Sequence, residues 1–443
     1  MQLTVDEARD LNSARLSGLL DDFNPCARFL KDVRSLDDGY DAMECIPAER
    51  LGERGIGVSD LQIPTFEHAR LAVELFASAL ESAAERNLNS EEFRRKTISA
   101  ARYINHLTDR HGHALEAAPI TVDSAGPRGH FVIIPTGMSQ QALRKALQRV
   151  FGKDGEPIKI AVPQGGVIQY TRLPSLTVPF PENGAPRSFG KLFLRYFDDA
   201  MNLAHSARLR GPFHRGEEEV GPALQAYAIA ANLGVLIVEQ IDTRNASTKL
   251  AKSLWAILAR FTADTGIPIV CLATPGAAAA LSEQNTATTF LAGKTWYNIA
   301  PAQRGSAQWS LTCEYIYLTY LTGCMGFAEP EWFADTVWWV TCGRSELAVK
   351  VCLHIVSVSR KEDFERPGKD EFLKLAKDAL ALEWPHLRAV RRLGEGGSFT
   401  SASIRRHGDW LPVEPMMQSV PGLEETNPVF PITYVPTPGA NHA

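Results

Sequence analysis

Several features are missing from this sequence, and each absence removes a class of protein. No uninterrupted apolar stretch reaches the roughly 18 residues that a membrane-spanning helix needs, and Met1 to Leu20 interleaves acidic, basic and apolar side chains without an apolar core. Membrane insertion and export are therefore not expected, and the chain reads as cytoplasmic. Cys26, Cys45, Cys271, Cys313, Cys324, Cys342 and Cys352 include no C-x-x-C pair and have no histidine at zinc spacing. They read as reduced thiols with packing roles, which excludes a disulfide framework and a structural zinc site. A net charge of −5 gives no overall basic character, so any contact with nucleic acid has to come from a local basic face.

What is present is ordinary globular composition, 45% hydrophobic and 22% charged over 443 residues, enough for about two or three domains. Residues 1–118 read as a polar helical region, with apolar positions Leu71, Val73, Leu75 and Leu80, then Ile98, Ala101 and Ile104 at helical spacing. From 119 to 305 the pattern becomes β-rich runs separated by helix-period segments, which predicts an α/β core with a parallel sheet. The expected strands are 131–134, 167–170, 235–238, 267–272 and 296–299. Ala142, Leu143, Ala146, Leu147, Val150 and Phe151 form one expected apolar helix face, and Leu250, Leu254, Ile257, Leu258 and Phe261 form another. Residues 306–393 return to helix period and predict a small helical lid. Gly394-Glu395-Gly396-Gly397-Ser398 opens a stretch to 443 with seven prolines between Pro412 and Pro438, read as an extended tail available to a partner.

The first expected strand runs into Pro135-Thr136-Gly137-Met138-Ser139-Gln140-Gln141 and then into a helix. Strand, tight turn and helix in that order would aim backbone N–H groups and the positive end of the helix at a phosphate. In the phosphate-loop pattern G-x-x-x-x-G-K-[ST], glycines admit the phosphate, lysine contacts it and the hydroxyl holds Mg²⁺. The four diagnostic positions here are Ile134, Ser139, Gln140 and Gln141. Two readings stay open for this segment: an ordinary βα turn, or a degenerate nucleotide-binding loop at Gly137, Ser139, Gln140 and Gln141. Further along, Leu236-Ile237-Val238-Glu239-Gln240 has the form of a strand ending in a metal-binding acid and a general base. Glu239 could still reach a metal, whereas neutral Gln240 cannot accept a proton.

Taken together with Tyr170 to Ala200, with Gly266-Ile-Pro-Ile-Val-Cys-Leu-Ala-Thr-Pro-Gly-Ala, with Thr341-Cys-Gly-Arg-Ser-Glu-Leu-Ala-Val-Lys and with Leu382 to Leu393, these segments resemble the TnsC/TniB-type AAA+ regulators of DNA transposition. The resemblance covers about 119–393. It implies a second strand and following helix at 170–200, a Walker B strand at 235–241, a sensor-1 strand ending at Thr274, and a sensor-2 helix beginning near Arg344. It also implies that the Walker A lysine and hydroxyl positions are Gln140 and Gln141, that the Walker B acids are Glu239 and Gln240, and that the paired arginines of the family fall on Thr289 and Phe290. Losing the lysine, the base and the trans-acting cation together removes most of what positions and stabilises charge in phosphoryl transfer. Thr274 and Arg344 read equally as a turn-capping hydroxyl and a solvated surface arginine.

The resemblance further implies duplex DNA, a transposase and a target-selecting protein as partners, together with self-assembly or co-assembly with an intact AAA+ paralogue. Arg187, Lys191 and Arg195 recur at four-residue spacing and are the candidate phosphate contacts, with Arg391-Arg392 and Arg405-Arg406 behind them. The expectation is an AAA+ P-loop-type α/β protein acting as a non-hydrolysing regulator or adaptor, with no resident cofactor; ATP with Mg²⁺ is the group the site would take if it still binds nucleotide. Two alternatives stay open: a divergent active ATPase in which Arg144 or Lys145 replaces the missing lysine, and an α/β scaffold with no nucleic-acid role.

Overall fold

Alternation of apolar side chains along short strands builds the centre of this protein, because both faces of its five-stranded sheet are covered by helices. The computed structural model describes residues 33–44, 62–108, 126–161, 167–208, 219–293, 296–360, 366–397 and 400–414. In chain order the elements are α1 (Leu36–Met43), α2 (Phe66–Glu85), α3 (Glu91–Thr108), β1 (Gly129–Ile133), α4 (Gln140–Phe151), β2 (Glu156–Ala161), β3 (Val167–Arg172), β4 (Ser175–Pro179), α5 (Pro186–Met201) and α6 (Val220–Ala230). They continue as β5 (Val235–Ile241), α7 (Ala251–Thr265), β6 (Ile269–Ala273), α8 (Pro275–Ser282), α9 (Asn285–Leu291) and β7 (Trp296–Asn298). Then come α10 (Ala307–Ile316), α11 (Phe333–Thr341), α12 (Ser345–Ser359), α13 (Lys369–Ala379), α14 (Trp384–Gly394) and α15 (Ser401–His407).

The five-stranded sheet is parallel throughout, in the order β4-β5-β6-β1-β7. Val132, Ile134, Val235, Ile237, Val270 and Leu272 face one side and join Leu71, Leu75 and Phe76 of α2 and Leu143 and Leu147 of α4. Phe131, Ile133, Leu236, Val238 and Cys271 face the other, against Phe189 and Phe193 of α5, Leu224 of α6 and Trp255 of α7. Period-2 alternation with both sets buried is what a parallel sheet under crossover helices requires. The expected fold class, a parallel α/β sheet with helices before it and a helical lid after it, is the one observed.

The sheet differs from expectation in its second strand. Residues 167–170 belong to β3, which pairs antiparallel with β2 in a separate hairpin. Its place beside β5 is taken by β4, whose Ser175–Pro179 pairs with Val235–Glu239. Pro174 and Pro179 bracket this strand and disguise it in the sequence, but an edge strand tolerates proline because one side of its ladder is unused.

The helical region before the sheet is not a separate layer. α2 begins at a Thr65 cap and lays its apolar face directly on the sheet with α4, and buried Arg86 at its end donates to Asn232 Oδ1 and to the Leu233 carbonyl at 2.8 and 2.7 Å. The lid has its own core, in which Trp309, Ile316, Phe333, Val337, Val351, Ile355, Phe372 and Leu387 meet. The expected run 372–393 is broken into α13 and α14, with Pro385 in the first turn of the latter. The largest departure is at 394–443. Residues 415–443 lie outside the described residues, but 400–414 fold back: Thr400 caps α15, and Ile404 and Leu411 are buried with Ala389 and Leu393 of α14.

Candidate functional site

The turn after β1 joins strand to helix through two residues in the left-handed region. Gly137 and Ser139 both take positive φ, +87° and +56°, and Ser139 is the residue at which α4 begins. A Cβ on Gly137 would lie 2.9 Å from Leu347 Cγ and 3.1 Å from Arg344 Cδ, so glycine here admits the start of the lid helix α12. Gln140, at the lysine position, donates from its side-chain amide to the Leu272 carbonyl of β6 at 2.7 Å. Gln141 is exposed.

The lid fills the mouth of the loop. Glu346 Oε2 accepts from the Ser139 N–H at 3.1 Å, and the Glu346 N–H donates to the Gly137 carbonyl at 3.2 Å. This carboxylate lies in the first turn of α12 and against the first turn of α4, where two helix dipoles favour a negative charge and a phosphate oxygen could otherwise sit. Arg344 is 1% exposed, which rules out the solvated surface reading. Its guanidinium donates to the carbonyl oxygens of Thr136, Trp410 and Cys342 at 3.0, 2.5 and 3.4 Å and lies over the Trp410 ring. Burial draws its pKa down to about 10, which leaves it charged at neutral pH.

The third contributor comes from beyond the lid. Asp409 Oδ1 accepts from the Thr243 N–H at 2.9 Å, from the Thr243 hydroxyl at 2.5 Å and from the Thr274 hydroxyl at 2.5 Å. Its backbone carbonyl accepts from the Thr136 N–H at 2.8 Å. Thr274 therefore does two jobs: its oxygen also receives the Ala277 N–H at 3.4 Å and caps α8. The Thr243 hydroxyl passes so close to Gly276 that a Cβ there would meet it at 1.8 Å. Asp409, Glu346 and Thr243 carry no signature in the sequence that separates them from other polar residues.

At the end of β5, Glu239 is held by Arg144 of α4, Nε to Oε2 at 3.2 Å. Burial raises the Glu239 pKa and Arg144 opposes that rise. Gln240 sits at a bulge in β5 with φ +59° and is exposed, with its carbonyl accepting from the Asn245 amide at 2.7 Å. Thr289 and Phe290, expected where the family carries paired arginines, lie on α9 beside Pro127 and Gly129. Arg187, Lys191 and Arg195 are exposed on one face of α5, remote in sequence from the loop but on the helix that follows edge strand β4.

These residues do not fit a nucleotide with Mg²⁺. Gln140 and Gln141 place neither a lysine nor a hydroxyl in the first turn of α4, Gln240 is neutral, and the carboxylates of Asp409 and Glu346 lie beside the turn, where they would repel a polyphosphate. The cavity beside the loop, lined by Thr65, His68, Met138, Ser139, Gly343 and Ser345, measures about 30 Å³. That is space for roughly two waters.

No protein-family model and no curated protein matches the sequence. Among solved structures, the Aeropyrum pernix Orc1 protein in complex with DNA matches at 13% identity with a TM-score of 0.35, over 70% of this chain and 75% of that one. Among the described residues, no helix is long and apolar enough to cross a membrane.

Proposed function

We propose that this protein is a catalytically degenerate AAA+-like regulator or adaptor of DNA transposition, which links target-site selection to a transposase through DNA and protein contacts in the cytoplasm. One observation carries the non-hydrolysing part of this reading: the polar backbone groups of the phosphate loop, Thr136, Gly137 and Ser139, are already bonded to Arg344, Glu346 and Asp409. Arg144, one of the two cations considered as a replacement for the missing lysine, is engaged with Glu239. The strand order, with β1 between β6 and β7 and the acid-bearing β5 next to β6, supports the AAA+ reading because it brings the turn, Glu239 and Thr274 to one sheet edge. The partners rest on the resemblance of 119–393 to transposition regulators and on the exposed Arg187, Lys191 and Arg195 face.

The test is to titrate the full chain with labelled ATP and Mg²⁺ and to follow phosphate release with and without duplex DNA. Salt-sensitive DNA binding with turnover at background is expected. Micromolar nucleotide binding followed by DNA-stimulated hydrolysis would sink the proposal, and absence of salt-sensitive DNA binding would remove its DNA arm.

A further inference from the structure

The groups converging on Asp409 come from segments far apart in the sequence. Thr243 follows β5, Thr274 ends β6, and Thr136 follows β1; together they form the edge of the sheet where its strands point their C-terminal ends. Three donors meet one carboxylate oxygen, and a fourth, the Thr136 N–H, takes the carbonyl of the same residue. Two hydroxyls and an amide aimed at one point make a site for an oxyanion, and hydrogen bonds to an ionised acceptor are about twice as strong as neutral ones.

The segment that supplies this carboxylate is held on both flanks. On one side Ile404 and Leu411 are buried against Ala389 and Leu393. On the other, Trp410 stacks on His386 with centroids 4.9 Å apart, lies under Arg344, and gives its carbonyl to that guanidinium. Apolar anchors on either side of one acid, with main-chain bonds beside it, is the way a groove holds an acidic peptide.

We propose that the degenerate phosphate site has become an acidic-peptide site whose ligand is the chain's own segment 400–414, held through the Asp409 carboxylate. The inference rests on the reading of this core as a non-hydrolysing scaffold; it does not depend on the DNA or transposase partners. It makes the site a latch that joins the root of the proline-rich tail to the sheet edge and the lid at once, so a competing acidic peptide or oxyanion and the tail exclude one another.

Two full-length variants test it. Asp409→Asn keeps the shape and loses the charge; amide hydrogen exchange at Thr136, Thr243 and the α15 backbone is expected to rise at least tenfold over the native chain. Asp409→Ala opens a carboxylate-sized hole; inorganic phosphate, and a synthetic peptide spanning 400–414, are expected to raise its melting temperature by several degrees, with no such shift in the native chain. Adding Thr243→Val and Thr274→Val to the Asp409→Ala chain is expected to abolish both shifts. Native-like exchange in the Asp409→Asn chain overturns the proposal, as does a folded Asp409→Ala chain that responds to neither probe. If the Asp409→Ala chain does not fold, the exchange result in Asp409→Asn decides. DNA-stimulated ATP turnover in the native chain would end the non-hydrolysing reading, while the exchange and phosphate results would still judge the latch.

Discussion

The Glu346 carboxylate reaches from the lid to the Ser139 N–H, 3.1 Å away, and so ties the start of α12 to the start of α4. With the Glu346 N–H on the Gly137 carbonyl and Arg344 on the Thr136 carbonyl, it holds α12 against the turn after β1. Removing the charge but not the shape, by Glu346→Gln, is expected to lower stability by about 1 kcal/mol through loss of an anion at two helix N-termini. Urea unfolding followed by circular dichroism measures it; an unchanged midpoint would mean that the contact contributes nothing.

Arg344 is a buried cation solvated by carbonyl oxygens, so its removal leaves acceptors without donors. Arg344→Met is expected to cost about 3 kcal/mol, since hydrogen bonds to charged groups are lost and Thr136 and Trp410 keep buried, unmatched carbonyls. Arg344→Lys should recover little, because a single ammonium cannot span carbonyls that a guanidinium fork reaches together. Melting temperatures of both variants check this, and full rescue by lysine would contradict it.

Stability should fall in mild acid. His68 is buried, and burial draws its pKa from 6.5 down to about 4. Its Nδ1 accepts the Thr65 N–H at 3.0 Å, a bond that protonation of that nitrogen destroys. A depressed folded pKa means that the unfolded chain binds the proton first, so the stabilisation is complete above pH 6.5 and is lost as pH falls towards 4. The loss is about 3 kcal/mol at the lower end. His386 and His407, their Nδ1 atoms 2.9 Å apart, act in the same direction: burial lowers both pKa values first, followed by Arg406 for His386 and by His386 and then Arg406 for His407. Unfolding midpoints between pH 7.5 and 4.5 should drop, and His68→Asn should flatten most of that slope.

On the proposed reading, placing a lysine at Gln140 and a glutamate at Gln240 does not produce ATP turnover. In a Gln140→Lys, Gln240→Glu chain the phosphate position is still bounded by Glu346 and Asp409, and Gln240 sits in a left-handed turn at a bulge. Phosphate release is expected to stay at background with saturating ATP, Mg²⁺ and duplex DNA. Turnover on the order of one per minute would show that the two glutamines alone had silenced the site.

Charge reversal on α5 tests the DNA arm separately. Replacing Arg187, Lys191 and Arg195 by Glu should weaken duplex binding and lower the slope of log affinity against log salt by up to about 3, at roughly 0.9 per phosphate contact. Binding of unchanged strength and slope would move the interface elsewhere, with Arg392, Arg405 and Arg406, all exposed, as the next residues to reverse.

Local order determined what could be read directly. The runs at 131–134, 235–238 and 267–272 became β1, β5 and β6 because alternating β-branched and apolar residues between turns fit a strand buried on both faces. The helix faces at 142–151 and 254–261 were legible for the same reason at a period of 3.6, whereas Leu250, expected on the second face, precedes α7 and is exposed. That Gln140, Gln141 and Gln240 carry neutral amides is a fact of residue type, visible before any fold is known. Tertiary structure decided the rest, because it concerns partners that periodicity does not encode. Only pairing with β5 makes 175–179 a sheet strand while 167–172 turns away into a hairpin. Packing against Ala389 and Leu393, with the Asp409 and Trp410 contacts, keeps 400–414 from being a loose tail. Arg344 looks in sequence like any surface arginine, and Asp409 like any tail acid; packing of the lid against the turn after β1 buries the first, and the fold-back of 400–414 brings the second within hydrogen-bonding distance of Thr243 and Thr274, segments more than a hundred residues away along the chain.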